Sequence, residues 1–227
     1  MIFLLSIFGF IFIPSISFAW GPITHVYLGS EIFSYASLIP AGIMTILRQC
    51  RQDFIYGNLM ADMILGKKYM LNEKNSHSWE MGLKLLRQAK KTSEKAFVYG
   101  YLSHLASDTV AHEALTEDKH DIVHTWIELK ADSIINKYYW LQSVTISRNV
   151  QLRNDRFLEG RLDSFIFSFN TNKRIYKSMV ALSIFNKKRE RGVDKNYISD
   201  LHNESIARII DFFQNGENSS VLKKRPL

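Results

Sequence analysis

Cysteine is almost absent from this sequence, which has only Cys50. A single cysteine excludes an intrachain disulfide and a zinc finger built on thiolates. Glycine (11) and proline (4) are also scarce, which excludes collagen-like and low-complexity chains. Only one stretch is apolar enough to suggest a membrane, so a polytopic membrane protein is excluded as well. A chain of 227 residues fits one domain with a full-sized core, or at most two small ones.

Acidic residues are outnumbered by basic ones, 22 against 29, which gives a formal net charge of +7 and a pI of about 9.4. This balance favours anionic partners, such as phospholipid surfaces or nucleic acid, and does not choose between them. It carries no information on catalysis.

The N-terminal segment 1–19 has no ionisable side chain and contains an apolar run that ends at Pro14. Small residues follow at Ser17 and Ala19, the −3 and −1 positions of a cleavage site, so the segment is typical of a secretory signal peptide. An uncleaved membrane anchor is the alternative, although roughly 12 apolar residues are few for a bilayer core of ~30 Å. The sequence thus predicts an exported protein, periplasmic or secreted, whose mature chain begins at Trp20.

Helical periodicity dominates the rest of the chain. Apolar residues recur at three- and four-residue spacing over residues 28–38, 43–63, 76–90, 94–115, 121–139 and 199–213, and strand-like alternation is nearly absent. We therefore expect one all-α domain over residues 20–227.

Histidines are concentrated in two lines with four-residue spacing. His104, Asp108 and His112 form the first line, and His120, His124 and Glu128 form the second. On a helix, residues four apart lie on the same face, one turn from each other. An exposed ion pair would explain one such pair, but two lines within 25 residues favour metal binding.

Zinc binds imidazole nitrogen and carboxylate oxygen at about 2.0–2.2 Å, so an i,i+4 pair can share one ion. Residues eight apart are separated by about 12 Å along a helix, which is too far for one ion to reach both. His104 and His112 should therefore serve different ions, and the spacing predicts more than one metal.

Three further motifs extend the pattern: Trp20-Gly-Pro-Ile-Thr-His25, Gly57-Asn-Leu-Met-Ala-Asp62 and Asn75-Ser-His77-Ser-Trp79. Together with the histidine lines, they resemble the zinc-dependent phospholipase C family, which is related to the P1-type single-strand nucleases. The resemblance implies the all-α domain of that superfamily and covers residues 20–128. In the superfamily, the free amine and the carbonyl of an N-terminal Trp bind zinc, and the predicted cleavage places Trp20 there.

The resemblance implies three zinc ions. The first would be held by Asp62, His77, His104 and Asp108. The second would be held by His112, His124 and Glu128, and the third by Trp20 and His25 with Asp108 as a bridge. The interval from Asp108 to His112 is shorter than in the characterised branches, so Glu113 or His120 remains an alternative to His112.

The expected activity is hydrolysis of a phospholipid head-group phosphodiester by a metal-activated water, with Asp62 as the residue that orients or deprotonates this water. The pair His124-x3-Glu128 is the phospholipase form, whereas Trp20-x4-His25 has the nuclease spacing. A single-strand nuclease is therefore one alternative, and a non-catalytic zinc-binding or membrane-anchored protein is another. The implied partners are a phospholipid or other phosphodiester substrate and a transient contact with a membrane surface, with nucleic acid as the alternative substrate. Nothing in the sequence indicates an obligate protein partner.

Overall fold

The computed structural model of the chain describes residues 20–63, 76–115, 131–132, 134–159, 161, 170–171, 173–174, 177 and 194–226. Within these ranges the regular secondary structure is helical and contains no strand, which confirms the predicted all-α class. The predicted signal peptide, residues 1–19, lies outside the described part of the chain.

Eight α-helices are found in the described ranges, and short 3-10 turns extend several of them. They are α1 (Pro22–Glu31), α2 (Ala41–Gln49), α3 (Arg51–Met60), α4 (Trp79–Gln88), α5 (Thr92–Leu115), α6 (Lys137–Val144), α7 (Arg148–Glu159) and α8 (Lys195–Asn215). The 3-10 turns that matter below are Ile32–Leu38 after α1 and Ala61–Met63 after α3.

Two predicted helix boundaries are wrong. The helix expected over 43–63 is two helices, because the backbone at Cys50 leaves the helical region (φ −126°, ψ 48°) and separates α2 from α3. The helix expected over 121–139 does not continue to its predicted end, because Asn136 is extended and its side chain caps the start of α6. Residues 121–130 of that prediction lie outside the described ranges.

Helix α1 begins earlier than its apolar pattern predicts. Pro22 stands at its first position, where the missing N–H costs no hydrogen bond. The buried carboxylate of Asp132 accepts hydrogen bonds from the backbone N–H of Ile23 (3.2 Å) and of Thr24 (2.8 Å), and from the Thr24 hydroxyl (2.8 Å). Because Asp132 satisfies donors that the helix leaves unpaired, it fixes the N-terminus of α1 beside the centre of the fold.

Helix α5 is the central element and is buried along most of its length. Helix α3 crosses it at a pair of glycines: a Cβ added at Gly57 would lie 1.9 Å from the carbonyl oxygen of Phe97. A Cβ added at Gly100 would lie 2.0 Å from the carbonyl oxygen of Phe54. Each glycine thus makes room for the backbone of the other helix, and no larger residue fits at either position.

Aromatic side chains close the core around this crossing. Phe54 of α3 packs edge-on against Phe33 and also contacts Phe213 of α8, while Phe97 of α5 packs against Phe157 of α7. Each wholly buried Phe contributes about 1.5–3 kcal/mol relative to an exposed one. No helix of the described ranges is long and apolar enough to cross a membrane.

The glycine crossing leads to a stability prediction. Gly100→Ala places a methyl group against the carbonyl of Phe54, so α3 and α5 must separate. Overpacking of this kind destabilises the folded state by about 1–3 kcal/mol. The upper end of that range applies here, because the new methyl group meets backbone, which cannot move aside as a side chain can. We expect the free energy of unfolding to fall by about 3 kcal/mol in chemical denaturation.

Gly42→Ala is the matched control. Gly42 lies in α2, where an added Cβ has no neighbour within 4 Å. The higher helix propensity of alanine should therefore stabilise this variant by up to about 1 kcal/mol, because no steric clash offsets it. Equal stability of the two variants would contradict a tight crossing at Gly100.

Candidate metal centre

Four buried side chains from three places in the chain meet beside the α3–α5 crossing. Asp62 lies in the 3-10 turn after α3, His77 lies just before α4, and His104 and Asp108 lie one turn apart on α5. Each is at most 2% exposed, and their ligand atoms all lie within 4.8 Å of one another. These are the four residues predicted to hold the first zinc ion.

The distances between these ligand atoms are those expected of donors that share one ion. The Nε2 atom of His104 lies 3.0 Å from Nε2 of His77, 3.0 Å from Oδ2 of Asp108 and 3.6 Å from Oδ1 of Asp62. The Nε2 atom of His77 lies 3.1 Å from Oδ1 of Asp62 and 3.4 Å from Oδ2 of Asp108. Four ligands about 2.0–2.1 Å from a central zinc would be separated by about 3.3 Å. The donor set therefore fits zinc in both type and spacing.

His25 of α1 approaches the same carboxylate from the other side. Its Nε2 lies 3.2 Å from Oδ1 of Asp108, while the first cluster faces Oδ2, and its ring stacks on His104 with centroids 3.7 Å apart. Within the described residues, neither carboxylate oxygen of Asp108 accepts a hydrogen bond of good geometry. Nε2 of His25 likewise has no hydrogen-bond partner of good geometry there. Buried polar atoms without hydrogen bonds are costly, so these three atoms suit the role of cation ligands. The arrangement fits a bridging Asp108.

Hydrogen bonds on the far side of the rings fix the tautomers of two histidines. Nδ1 of His104 lies 2.8 Å from the backbone oxygen of Asn58, which can only accept, so Nδ1 carries the proton. The Ser107 hydroxyl donates to the backbone oxygen of His104 (2.8 Å) and is left to accept from Nδ1 of His25 (3.2 Å). In both rings Nε2 therefore keeps its lone pair for a metal, as outer partners of zinc-binding histidines usually ensure.

The electrostatics favour the metal-binding protonation states. Burial, with the nearby His104, lowers the pKa of His25, which keeps its imidazole neutral. Burial alone would raise the pKa of Asp108, but the positive charge that His104 and His25 carry when protonated outweighs burial and holds this pKa well below its usual range. Neutral imidazole and ionised carboxylate are the forms that coordinate a cation.

The segment that carries His77 is fixed by helix α5. The buried hydroxyl of Tyr101 donates to the backbone oxygen of Ser76, and burial raises the pKa of Tyr101, so the phenol stays protonated. One residue after His77, Ser78 caps α4 by accepting from the N–H of Met81 (3.1 Å). His77 is thus held between two anchored neighbours.

Trp20 lies against the centre through its indole. The ring is wholly buried and donates to the backbone oxygen of Ser107 (3.0 Å) and to the hydroxyl of Ser205 (3.2 Å). It also packs on the ring of His202, 5.0 Å away, and burial lowers the pKa of His202 to about 4. Trp20 is therefore fixed next to the residue that precedes Asp108, while its predicted role as a zinc ligand remains a prediction.

The predicted second zinc site is described only in part. His112 is half-buried on α5 and is not a member of the four-residue cluster, as expected for a residue two turns beyond His104. His124 and Glu128, and the alternative ligand His120, lie outside the described residues. The other alternative, Glu113, uses its carboxylate to accept hydrogen bonds from Arg208 (2.7 Å) and Lys224 (2.8 Å), which makes it a poor substitute for His112.

Three residues that support the centre were not predicted from the sequence. They are Asn58, Ser107 and Asp132. Asp132 continues the four-residue spacing of 120, 124 and 128, and Asn58 stands four residues before Asp62. Helical spacing could have placed these two on the relevant faces, but no local signal shows that Ser107 contacts His25.

Fold and site together define an all-α protein with a buried centre of histidines and aspartates suited to zinc. A family model described as zinc dependent phospholipase C matches residues 24–215, and the chain belongs to this family. The resemblance seen in the motifs is therefore confirmed. No curated protein matches the chain, and no solved structure does.

The hydroxyl of Ser107 provides a test of the centre that does not depend on activity. Ser107→Ala removes the acceptor of the His25 ring proton, so the ring loses its fixed tautomer. Loss of such an outer partner costs about 10- to 100-fold in metal affinity. We expect a loss of this size in zinc affinity, measured by competition with a chelator of known affinity.

Ser103→Ala is the matched control. Ser103 is buried on the same helix directly before His104, but its hydroxyl donates to the backbone oxygen of Tyr99 (2.8 Å) and not to a histidine ring. Its zinc affinity should equal that of the unmodified chain. An unchanged affinity in Ser107→Ala would show that this hydroxyl does not position His25.

Proposed function

We propose that the chain is an exported, zinc-dependent phosphodiesterase that hydrolyses the head-group phosphodiester of phospholipids, as a phospholipase C does. The observation that carries the proposal is the buried cluster of Asp62, His77, His104 and Asp108, with His25 beside the second carboxylate oxygen of Asp108. Membership of a phospholipase C family supports the substrate class.

In this proposal, three zinc ions bind at one extended centre. Asp62, His77, His104 and Asp108 would hold the first ion, and His112, His124 and Glu128 would hold the second. Trp20 and His25 would hold the third, with Asp108 shared between the first and the third. Zinc would supply Lewis-acid polarisation of the phosphodiester and a lowered pKa for water. His25 at 3.2 Å from Asp108 supports the shared carboxylate.

The chain's own residues prepare the site for that chemistry. The backbone oxygen of Asn58 and the hydroxyl of Ser107 hold the imidazoles in place, so their orientation needs no adjustment during the reaction. Asp62 presents Oδ1 to His77 at 3.1 Å, and its Oδ2 lies 4.0 Å from His25. We assign to the Asp62 carboxylate the orientation or deprotonation of the attacking water.

The shared carboxylate gives a prediction about metal content. Asp108→Asn replaces a charged oxygen with a neutral amide between two metal positions, so we expect at least one zinc ion per chain to be lost, together with activity. Elemental analysis of the purified protein measures this. Asp200→Asn, an exposed position on α8, should keep the full content. Full zinc content in Asp108→Asn would contradict the bridging role.

Native mass spectrometry of the protein from an exporting host tests processing and stoichiometry together. We expect a chain that begins at Trp20 and carries three zinc ions, and a chelator-treated sample without them. An uncleaved chain would contradict export with a free Trp20 amine, and a single bound zinc would contradict the extended centre.

The substrate class is tested by parallel hydrolysis assays with the zinc-loaded protein. We expect release of phosphorylated head groups from phospholipid vesicles and no cleavage of single-stranded DNA or RNA. Cleavage of nucleic acid without lipid hydrolysis would contradict the phospholipase proposal and favour the nuclease alternative. The Asp108→Asn variant should be inactive on either substrate.

A further inference from the structure

Helix α6 has two faces of opposite character. One face packs on α1, where the hydroxyl of Tyr139 donates to Glu31 (2.7 Å) and the hydroxyl of Ser30 donates to Gln142 (2.7 Å). The ring of Tyr139 also meets Tyr27 edge to face, two residues beyond His25. Helix α6 is therefore fixed to the helix that carries a predicted metal ligand.

The outer face of α6 is apolar and exposed. Tyr138, Leu141 and Val144 follow each other at three-residue spacing, which places them on one side of the helix. They are 58%, 50% and 48% exposed. The described part of the chain has six strongly exposed large apolar side chains, and three of them lie on this face. A fourth, Leu152, lies on the next helix. A cluster of this kind on a soluble surface marks an interaction site.

The segment of the chain that carries this face bears charge of one sign. Residues 133–154 include no Asp or Glu but contain Lys137, Arg148 and Arg153. Arg153 is committed to the buried Asp53, whereas Lys137 and Arg148 are exposed and form no ion pair with a described residue. Lys137 opens α6 and Arg148 opens α7, so in the sequence one cation precedes the apolar stripe and the other follows it by four residues.

We propose that the outer face of α6, defined by Tyr138, Leu141 and Val144 with Lys137 and Arg148, docks the protein on the surface of an anionic phospholipid bilayer. A bilayer of this kind offers both complements at once: negative head groups for the two cations and an acyl boundary for the apolar stripe. Tyr138 suits the head-group level, because its ring is apolar and its hydroxyl is polar. The proposed contact is peripheral, because it uses one exposed face of a short helix.

Docking goes beyond the proposed hydrolysis and does not depend on it. The face lies on α6 and the start of α7, and none of its residues belongs to the metal centre. Protein freed of metal by a chelator should therefore bind vesicles as well as the zinc-loaded protein does. If the protein bound vesicles but did not hydrolyse their lipids, the proposed function would be contradicted and the docking surface would not.

A site-specific fluorescence measurement tests the contact on the full chain. In a Cys50→Ser background, an environment-sensitive dye is attached at Leu141→Cys, and in the control at Leu38→Cys. Both leucines are 50% exposed, and Leu38 lies in the turn after α1, away from α6. With vesicles that contain phosphatidylserine we expect a blue shift at position 141 and none at position 38. Equal responses at both positions would overturn the proposal.

Charge reversal tests the electrostatic half of the proposal. Each surface cation adds about 1 kcal/mol of attraction to an anionic leaflet, which corresponds to about fivefold in binding. The variant Lys137→Glu, Arg148→Glu should therefore bind phosphatidylserine vesicles at least about 25-fold more weakly in co-sedimentation. Lys90→Glu, Lys223→Glu reverses two exposed cations on other elements and should lose much less.

Two outcomes would overturn the docking surface in different ways. If both double variants lose binding equally, net charge and not this face attracts the protein to lipid. If vesicles leave the dye at position 141 unchanged while dilution of the protein shifts its emission, a second copy of the chain and not a membrane covers the face. Analytical ultracentrifugation would then show a dimer.

Discussion

The close approach of two helix backbones determines the geometry of the rest of this molecule. Gly57 and Gly100 let α3 and α5 cross with carbonyl groups where side chains would otherwise stand. That contact brings the backbone oxygen of Asn58 within 2.8 Å of the His104 ring, and the turn that follows α3 delivers Asp62 to the same place. The metal centre is thus a consequence of how closely two backbones pack.

Around the crossing, hydrogen-bond partners outside the centre hold its side chains in position. Ser107 is the clearest example, because it connects three predicted ligands: its hydroxyl contacts His25 and the backbone of His104, and its carbonyl accepts from the indole of Trp20. Such fixed partners allow the ligands to bind metal without a loss of side-chain freedom at that moment. They also explain why a group of buried, ionisable side chains can persist inside an apolar core.

Much of this could be predicted from the sequence, for physical reasons that differ between residues. Helical spacing alone aligned His104 with Asp108, while Asp62 and His77 were placed only by family motifs, since no short-range pattern links them to α5. The cap that Asp132 provides could not be predicted, because it depends on a contact between segments distant in sequence. The break at Cys50 could not be predicted either, because no proline or glycine stands next to it. The partners expected for His112 lie outside the described residues, so that part of the site remains a prediction.

The indole of Trp20 connects the two ends of the chain, because its partners Ser205 and His202 belong to the last helix. During synthesis, α8 is the last of the helices described here to emerge. A chain that is still incomplete therefore has the Ser107 acceptor of the indole but lacks the Ser205 acceptor and the His202 ring. The pocket that holds Trp20 beside the centre is complete only when the last helix has been made.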